Sequence, residues 1–464
     1  MDDHVKRKSS RERLNEMINK LREDIVQGHR LAGEYLPSEK ALAEQFELSN
    51  QSVRKGLDLL VRERFIEKIP RVGNKVIGDW DDSKRTVKLG FHSSVIGEAS
   101  LLQLIAMFQG ANPRIKVQIV PLTSSSFHYI GNYFAGGLLD VVMMNYTDFR
   151  ECIENGGRQL LEPLERNPGL YPFLSDGFAE EGQLLVQPFI FSPLLLAYNR
   201  AHFAERGLSE PDSSWTWRDA IRAADRLAAP GERVGFHFDF YSANRWPLLL
   251  LQLGARFERG SAGELRIAGT GMLDSLRTCR ELKNELAHLS DGAATGESET
   301  MLAKGKASMI VTSFFYLNYL QNSNVPFDIA PVPHFGTPMS LLLSIGLAVN
   351  RASKEKEPAL RLLEFLTSAP AQTYIRRHTY SLPALRSAAE WVGEEKLYRP
   401  SRFSLFRETI PGFRFFTELG IGAIELARLN RDLKMYWAGL ETEEELSRLI
   451  ESRSRGGSGE PARQ

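Results

Sequence analysis

Cysteine is nearly absent from this sequence: 464 residues hold only Cys152 and Cys279. The two stand far apart, with no CxxC spacing and no histidine cluster beside them. That excludes a disulfide framework and a zinc site, and reduced, packed thiols are expected. Net charge is absent as well. The balance of 58 basic and 58 acidic side chains excludes a wholly basic nucleic-acid coat and a charged disordered tail protein, so charge has to be read segment by segment. No apolar run reaches the roughly 20 residues that cross a bilayer, and Pro247–Leu251 and Met339–Val349 are too short or too interrupted. The opening MDDHVKRKSSRERLNEM is charged throughout and lacks the roughly 7–15 apolar residues of a signal peptide, so a cytoplasmic chain without membrane contact is expected. Also missing are a GxxxxGK[ST] loop, a nucleophile elbow, an HExxH pair and a kinase signature, and the nine histidines show no ligand spacing. No enzyme, no metal and no cofactor are expected.

What is present begins with a compact first segment, in a chain long enough for about three units. Leu14, Met17, Ile18, Leu21, Ile25 and Val26 recur at helical spacing before Gly28, which predicts an amphipathic helix over 11–27 with a glycine C-cap. Ser38 can cap a second helix through Ala41, Leu42 and Phe46, and Ser49 a third through Val53, Leu57, Leu60 and Val61. Strand-like pieces Phe65–Ile69 and Asn74–Ile77 follow, around Pro70-Arg71-Val72-Gly73. Two short helices joined by a tight turn and followed by a hairpin make a winged helix-turn-helix, whose third helix would enter a major groove. Asn50 and Gln51 can form paired bonds to adenine, and Arg54 and Lys55 can contact guanine or phosphate. Between Asn50 and Lys75, seven basic residues face three acids, a local excess suited to a phosphate backbone. An ordinary solvated helix face would explain the charge alone, but not its coincidence with the turn, the caps and the wing.

Leu36-Pro37-Ser38-Glu39-Lys40-Ala41-Leu42-Ala43, then Leu48-Ser49-Asn50-Gln51-Ser52-Val53-Arg54-Lys55-Gly56-Leu57, then Leu60–Ile66 and the Gly73 wing, resemble the winged helix of GntR-type bacterial regulators. The resemblance implies DNA contacts at Lys40, Asn50, Gln51, Ser52, Arg54 and Gly73, and Ser49, Lys55, Arg71, Asn74 and Lys75 around them are read as further DNA-binding candidates. Asn50 stands where the family usually has arginine, and Arg71-Val72-Gly73-Asn74 replaces a Gly-x-Gly-Thr wing. The operator sequence therefore does not carry over.

After a polar stretch at Asp81–Arg85, Thr86–Phe91 alternates as a strand does, so a linker over 81–86 separates a domain at 1–80 from one at 87–450. Predicted strands are Lys116–Val120, Leu139–Met144, Leu194–Tyr198, Ala307–Val311 and Leu343–Val349. Predicted helices are Ala99–Phe108, Trp217–Leu227, Leu273–Glu285, Pro358–Thr367 and Ala369–His378. The order is α/β, and two doubly wound lobes facing a cleft are expected. Glu425–Leu429 and Thr442–Ile450 supply terminal helices beyond about residue 400, and residues 451–464 are expected to be disordered.

Asn112–Val117, Leu139–Val142, Leu196–Phe203, Trp215–Ala220, Gly305–Ile310, Phe327–Pro333 and Ser344–Val349, in that order, are similar to family 1 extracellular solute-binding proteins, the sugar receptors of ABC importers. The resemblance implies a two-lobed fold of the second periplasmic-binding-protein type, and a receptor fused to a reader implies a sensor. A ligand favours whichever state binds it better, so occupancy could re-space two readers in a homodimer. Loops at strand C-termini are where such sheets bind ligands. That selects Ser93, Asn145, Tyr146, Phe315 and Ser344, together with Tyr241, Arg245 and Trp246 from a stretch mixing aromatic faces with polar groups, as a sugar requires. Phe315 and Tyr146 resemble the stacking aromatics of maltose-type receptors. Each aromatic has a packing reading beside the contact reading, and Met143, Met144, Phe314, Trp215 and Trp217 are read as packing.

The expectation is a ligand-responsive transcription regulator that binds double-stranded operator DNA and a small solute, most simply a sugar or oligosaccharide. The alternatives are a binding protein without a transcriptional role, or a sensor of a phosphosugar, amino acid or peptide. Some GntR-type readers carry an aminotransferase-like domain that holds pyridoxal phosphate, but the receptor strings do not fit that pattern.

Overall fold

The computed structural model describes residues 10–26, 29–31, 33–62, 65–70, 72–77, 85–122, 127–261, 263–286, 297–395 and 397–455. In chain order its main elements are α1 (Ser10–Val26), α2 (Glu39–Gln45), α3 (Asn50–Arg62), β1 (Ile66–Ile69), β2 (Gly73–Val76), β3 (Arg85–His92), α4 (Leu101–Ala111), β4 (Ile115–Leu122), α5 (Phe127–Ala135), β5 (Val141–Asn145) and α6 (Tyr146–Glu154). Then come β6 (Gln187–Asn199), α7 (Trp217–Leu227), β7 (Val234–His237), α8 (Gly271–Glu285), α9 (Glu297–Ala303), β8 (Ala307–Ser313), β9 (Phe327–Pro331) and β10 (Ser340–Val349). The last are α10 (Lys356–Leu366), α11 (Ala369–His378), α12 (Ala423–Trp437) and α13 (Glu443–Arg455). The chain divides into two compact units, one of residues 1–96, 100–143 and 348–366, the other of 97–99, 144–347 and 367–464.

The first unit opens with the winged helix. Ser38 Oγ accepts the Ala41 amide and Ser49 Oγ the Ser52 amide, each at 3.2 Å, so both predicted caps form. Between them Glu47 takes a left-handed φ of 49°, which turns the chain sharply enough for α2 and α3 to share one core. That core joins Met17, Ile18 and Leu21 to Leu42, Val53, Leu57 and Leu60, and to Ile66 and Val76 of the wing. Gly56 permits the close approach of α3 to α1, because a Cβ there would lie 2.5 Å from Met17 Cε. β1 and β2 pair antiparallel, Ile66 opposite Val76 and Ile69 opposite Gly73, whose φ of 147° suits glycine. The expected cap residue Gly28 lies outside the described residues.

Beyond the wing, β3 pairs parallel with β4 from Arg85 opposite Ile115 to His92 opposite Leu122, and with β5 at Leu89 and Val141. Arg85 and Thr86 therefore already belong to a strand, where a linker was expected, because Arg85 anchors the strand end through Glu355 and Glu357 at 2.8 Å. The rest of that linker, 81–84, lies outside the described residues.

The second unit is organised by β6. All thirteen of its residues are buried, more than the predicted Leu194–Tyr198. It pairs antiparallel with β8, β9 and β10 and with the Leu382-Pro383 strand, and β8 pairs parallel with β7. Trp217 and Leu227 bound α7 as predicted, with Thr216 and Asp219 forming a reciprocal cap. Trp217 is packing, donating from Nε1 to Gln252 Oε1 at 2.8 Å. Both thiols are fully buried, and burial pushes Cys152 up to about 12. The expected disordered tail is helical at its start: α13 runs to Arg455 because Glu443, Glu444 and Glu445 favour its N-terminal end. Residues 456–464 lie outside the described residues.

Asn350 is 2% exposed and donates from Nδ2 to the carbonyls of Phe134 and Leu139, both at 3.0 Å. Asn350→Ala removes this donor from the Leu139 carbonyl, while the Phe134 carbonyl keeps the Gly137 amide at 3.1 Å, and should lower stability by about 1–2 kcal/mol, read from the midpoint of urea unfolding.

Candidate functional sites

Ser49 starts α3 and presents Asn50 and Gln51 in its first turn, both exposed, with Arg54 and Lys55 exposed one turn later and Lys40 exposed on α2. Ser52 is half-buried, its hydroxyl 3.0 Å from Ser49 Oγ. Arg54 does not stand free: its Nε lies 2.6 Å from Glu39 Oε2, with the arginine 63% exposed. The Glu39 hydrogen bond, followed by its charge, raises the Arg54 pKa. On the wing, Lys75 is half-buried opposite Glu67, and Gly73 forms the strand start. Asn74 is a correction. It is 7% exposed and turned into the domain, since side chains alternate along β2 and its neighbours face the other way. Arg71 lies outside the described residues.

The solute candidates fall into separate places. Ser93 is exposed after β3. Asn145 caps α6, its Oδ1 accepting the Asp148 amide at 2.9 Å. Tyr146 is 7% exposed, stacked on Phe415 at 3.9 Å with its hydroxyl 3.0 Å from Thr417 Oγ1. Ser344 is buried in β10 opposite Phe191. Trp246 is fully buried and donates to Asn430 Oδ1 at 2.9 Å. Tyr146, Ser344 and Trp246 thus read as packing, because buried rings and hydroxyls on sheet or helix take partners from the fold itself. Phe315 is 6% exposed and also packs.

Arg245 gathers what remains. It is 5% exposed, donates to the Asn244 carbonyl at 3.1 Å, and places its guanidinium carbon 5.3 Å from the centre of the Tyr316 ring. Its buried Nε has no hydrogen-bond partner among the described residues. Two carboxylates feel its charge. Burial pushes the Asp239 carboxyl up, and Arg245 pulls it back. Burial likewise pushes up Glu299, 2% exposed on α9, while the Thr312 hydroxyl and then Arg245 oppose it. Tyr241 stands half-buried in the same loop, with Lys283 Nζ 5.6 Å from its ring centre. Asp239, Glu299 and Tyr316 escaped the sequence reading of the site. Asp239 lies two residues before Tyr241 and Tyr316 one residue after Phe315, both of which that reading had marked, whereas Glu299 carries no local signal, because only the pairing of β8 with its neighbours brings α9 there.

This arrangement offers an unpartnered guanidinium donor, carboxylates and an aromatic ring, which suits a polyhydroxy solute. A hollow of about 50 Å³ elsewhere in the same unit is lined by Leu195, Phe314, Val332, Met339 and Phe406. Its Ser340 and Thr409 hydroxyls already donate to the Leu194 and Phe406 carbonyls, so it offers such a solute little. Among the described residues no group of three His, Cys, Asp or Glu could hold a metal ion, and no helix is long and apolar enough to cross a membrane.

Residues 93–373 match the family described as bacterial extracellular solute-binding protein, and residues 14–76 match that of bacterial regulatory proteins, gntR family. An ABC substrate-binding protein from Listeria monocytogenes, solved with cycloalternan, is similar in fold with a TM-score of 0.68 at 18% identity, over 80% of this chain and 98% of that one. Maltose-bound MalE from T. maritima gives 0.67 at 18%, over 80% and 99%. The GacH receptor of Streptomyces glaucescens, solved unliganded and with acarbose, gives 0.66 at 16%, over 80% and 98%. No curated protein matches the chain by sequence.

Two outcomes follow from this geometry. Glu39→Gln releases Arg54 from a largely exposed, weakly held pair, and should tighten binding to duplex DNA up to severalfold in a gel shift at constant salt. A carboxyl raised by burial contributes stability that is present below its unfolded pKa and lost as pH rises through its folded one. The wild type should therefore lose more stability between pH 5 and pH 8 than Glu299→Gln does, read by urea midpoints at both pH values.

Proposed function

The chain belongs to the bacterial extracellular solute-binding protein family and carries a gntR-family segment ahead of that region, and on this premise we propose that it is a ligand-sensing transcription regulator. The winged helix reads double-stranded operator DNA, with Asn50, Gln51, Arg54 and Lys55 toward base edges and phosphates, and Lys40 and Lys75 toward the backbone. The solute site forms around Arg245, with Tyr241, Asp239 and Tyr316, and the solute is a sugar or oligosaccharide. The observation that carries this reading is the coexistence of both family matches in one chain, with the buried Arg245 Nε left without a partner. The cycloalternan, maltose and acarbose held by the similar receptors support the solute class. No reaction is catalysed: neither matched family is described by an activity. The protein works in the cytoplasm, where its DNA is, and as a homodimer on paired half-sites.

The test is a thermal-shift screen of the full chain against mono-, di- and oligosaccharides, their phosphates, amino acids and short peptides. A ligand at 100 times its Kd stabilises by about 2.7 kcal/mol. A saccharide should raise the melting temperature of the wild type and fail to do so for Arg245→Met, while Arg54→Ala keeps the saccharide response and loses at least tenfold in affinity for duplex DNA. Stabilisation only by amino acids or peptides would overturn the sugar reading. The absence of salt-dependent DNA binding would overturn the regulator.

A further inference from the structure

β4 pairs only with β3 among the described residues of its unit, so it is the edge of that unit's parallel sheet. An edge strand ordinarily turns one side to water, and proteins protect such edges by covering them. Here none of the eight residues from Ile115 to Leu122 is exposed. The elements lying against β4 are α4 and α1, the first helix of the winged helix. The contact is apolar: Ile119 of β4 and Leu102 of α4 pack against the same cluster that holds Met17, Ile18 and Leu21 of α1 together with Leu57 and Leu60 of α3. α1 therefore has two duties. Leu14, Met17 and Ile18 face α3 through the gap left by Gly56, and Leu102 and Ile119 pack against the cluster that Met17, Ile18 and Leu21 help to form. A reader hung on a flexible tether would leave both of these side chains in water.

We infer that Leu102 and Ile119 form a docking patch that fastens the winged helix to the first α/β layer of the solute-binding region, making the two one rigid body with α1 as the shared element. The recognition helix is then aimed by that layer rather than by the stretch at 78–84. Any shift of β4 or α4 on solute binding passes through α1 to α3, which packs directly on it. This role in signalling rests on the regulator reading above, whereas the docking itself does not.

The test uses the full chain. Backbone relaxation of ¹⁵N-labelled wild type should give α3 and wing amides the same rotational correlation time as β3 and β4 amides. In Ile119→Asp the reader amides should tumble severalfold faster while the strand amides do not change, and Leu102→Asp, on α4 rather than on the sheet, should do the same. Ile119→Val should keep the wild-type behaviour. Independent tumbling of the reader in the wild type, or unchanged tumbling in a folded Ile119→Asp or Leu102→Asp chain, would overturn the docking. Loss of DNA or saccharide binding in the wild type would instead strike the regulator reading and leave the docking result standing.

Discussion

Everything in the second unit depends on the burial of one strand. β6 has no residue facing water, and its backbone is shared among β8, β9, β10 and Leu382-Pro383. A strand buried on both faces needs continuous apolar sequence and hydrogen-bonding partners on both sides. Pro188 and Pro193 lie within it and lack the amide such pairing uses. Opposite Pro188 the register slips between Ile345 and Gly346, and a Cβ on Gly346 would come within 2.8 Å of the Gln187 carbonyl. The bulge absorbs the missing hydrogen bond, and the glycine lets the chains close over it.

That strand in turn places the charged group. β8 runs beside β6 and carries Thr312, whose hydroxyl bonds Glu299 of α9, and the chain leaving β8 presents Tyr316 beneath Arg245. Burying one arginine and two carboxylates is costly unless they compensate one another. Asp239 and Glu299 both feel Arg245, which offsets the rise that burial imposes on each. The compensation is incomplete at Arg245 Nε, a buried donor with no acceptor among the described residues.

The reader was legible nearly residue by residue. Its caps at Ser38 and Ser49, its helical spacing and its short wing are local features, governed by hydrogen bonds between residues three apart and by periodicity, so the sequence shows them directly. α7 and α11 were bounded correctly for the same reason. β6 was seen only in part, because prolines read as breakers where a distant bulge makes them tolerable. In the solute region, the sequence marked a loop of aromatic and polar residues around Arg245, but it could not show that Tyr146 stacks on Phe415 or that Trp246 packs against Trp437.

By itself, then, the sequence determined the kind of protein: a gntR-family winged helix followed by an α/β domain of the solute-binding type. Only the tertiary structure decided which polar groups meet. Glu39 reaches Arg54 from a neighbouring helix, Glu299 reaches the neighbourhood of Arg245 across some fifty positions of chain, and Ile119 reaches the reader core across a hundred. The physical reason is common to all three. Caps and periodicity arise between neighbours in sequence, whereas burial, charge compensation and the covering of a sheet edge depend on long-range packing, which no local pattern encodes.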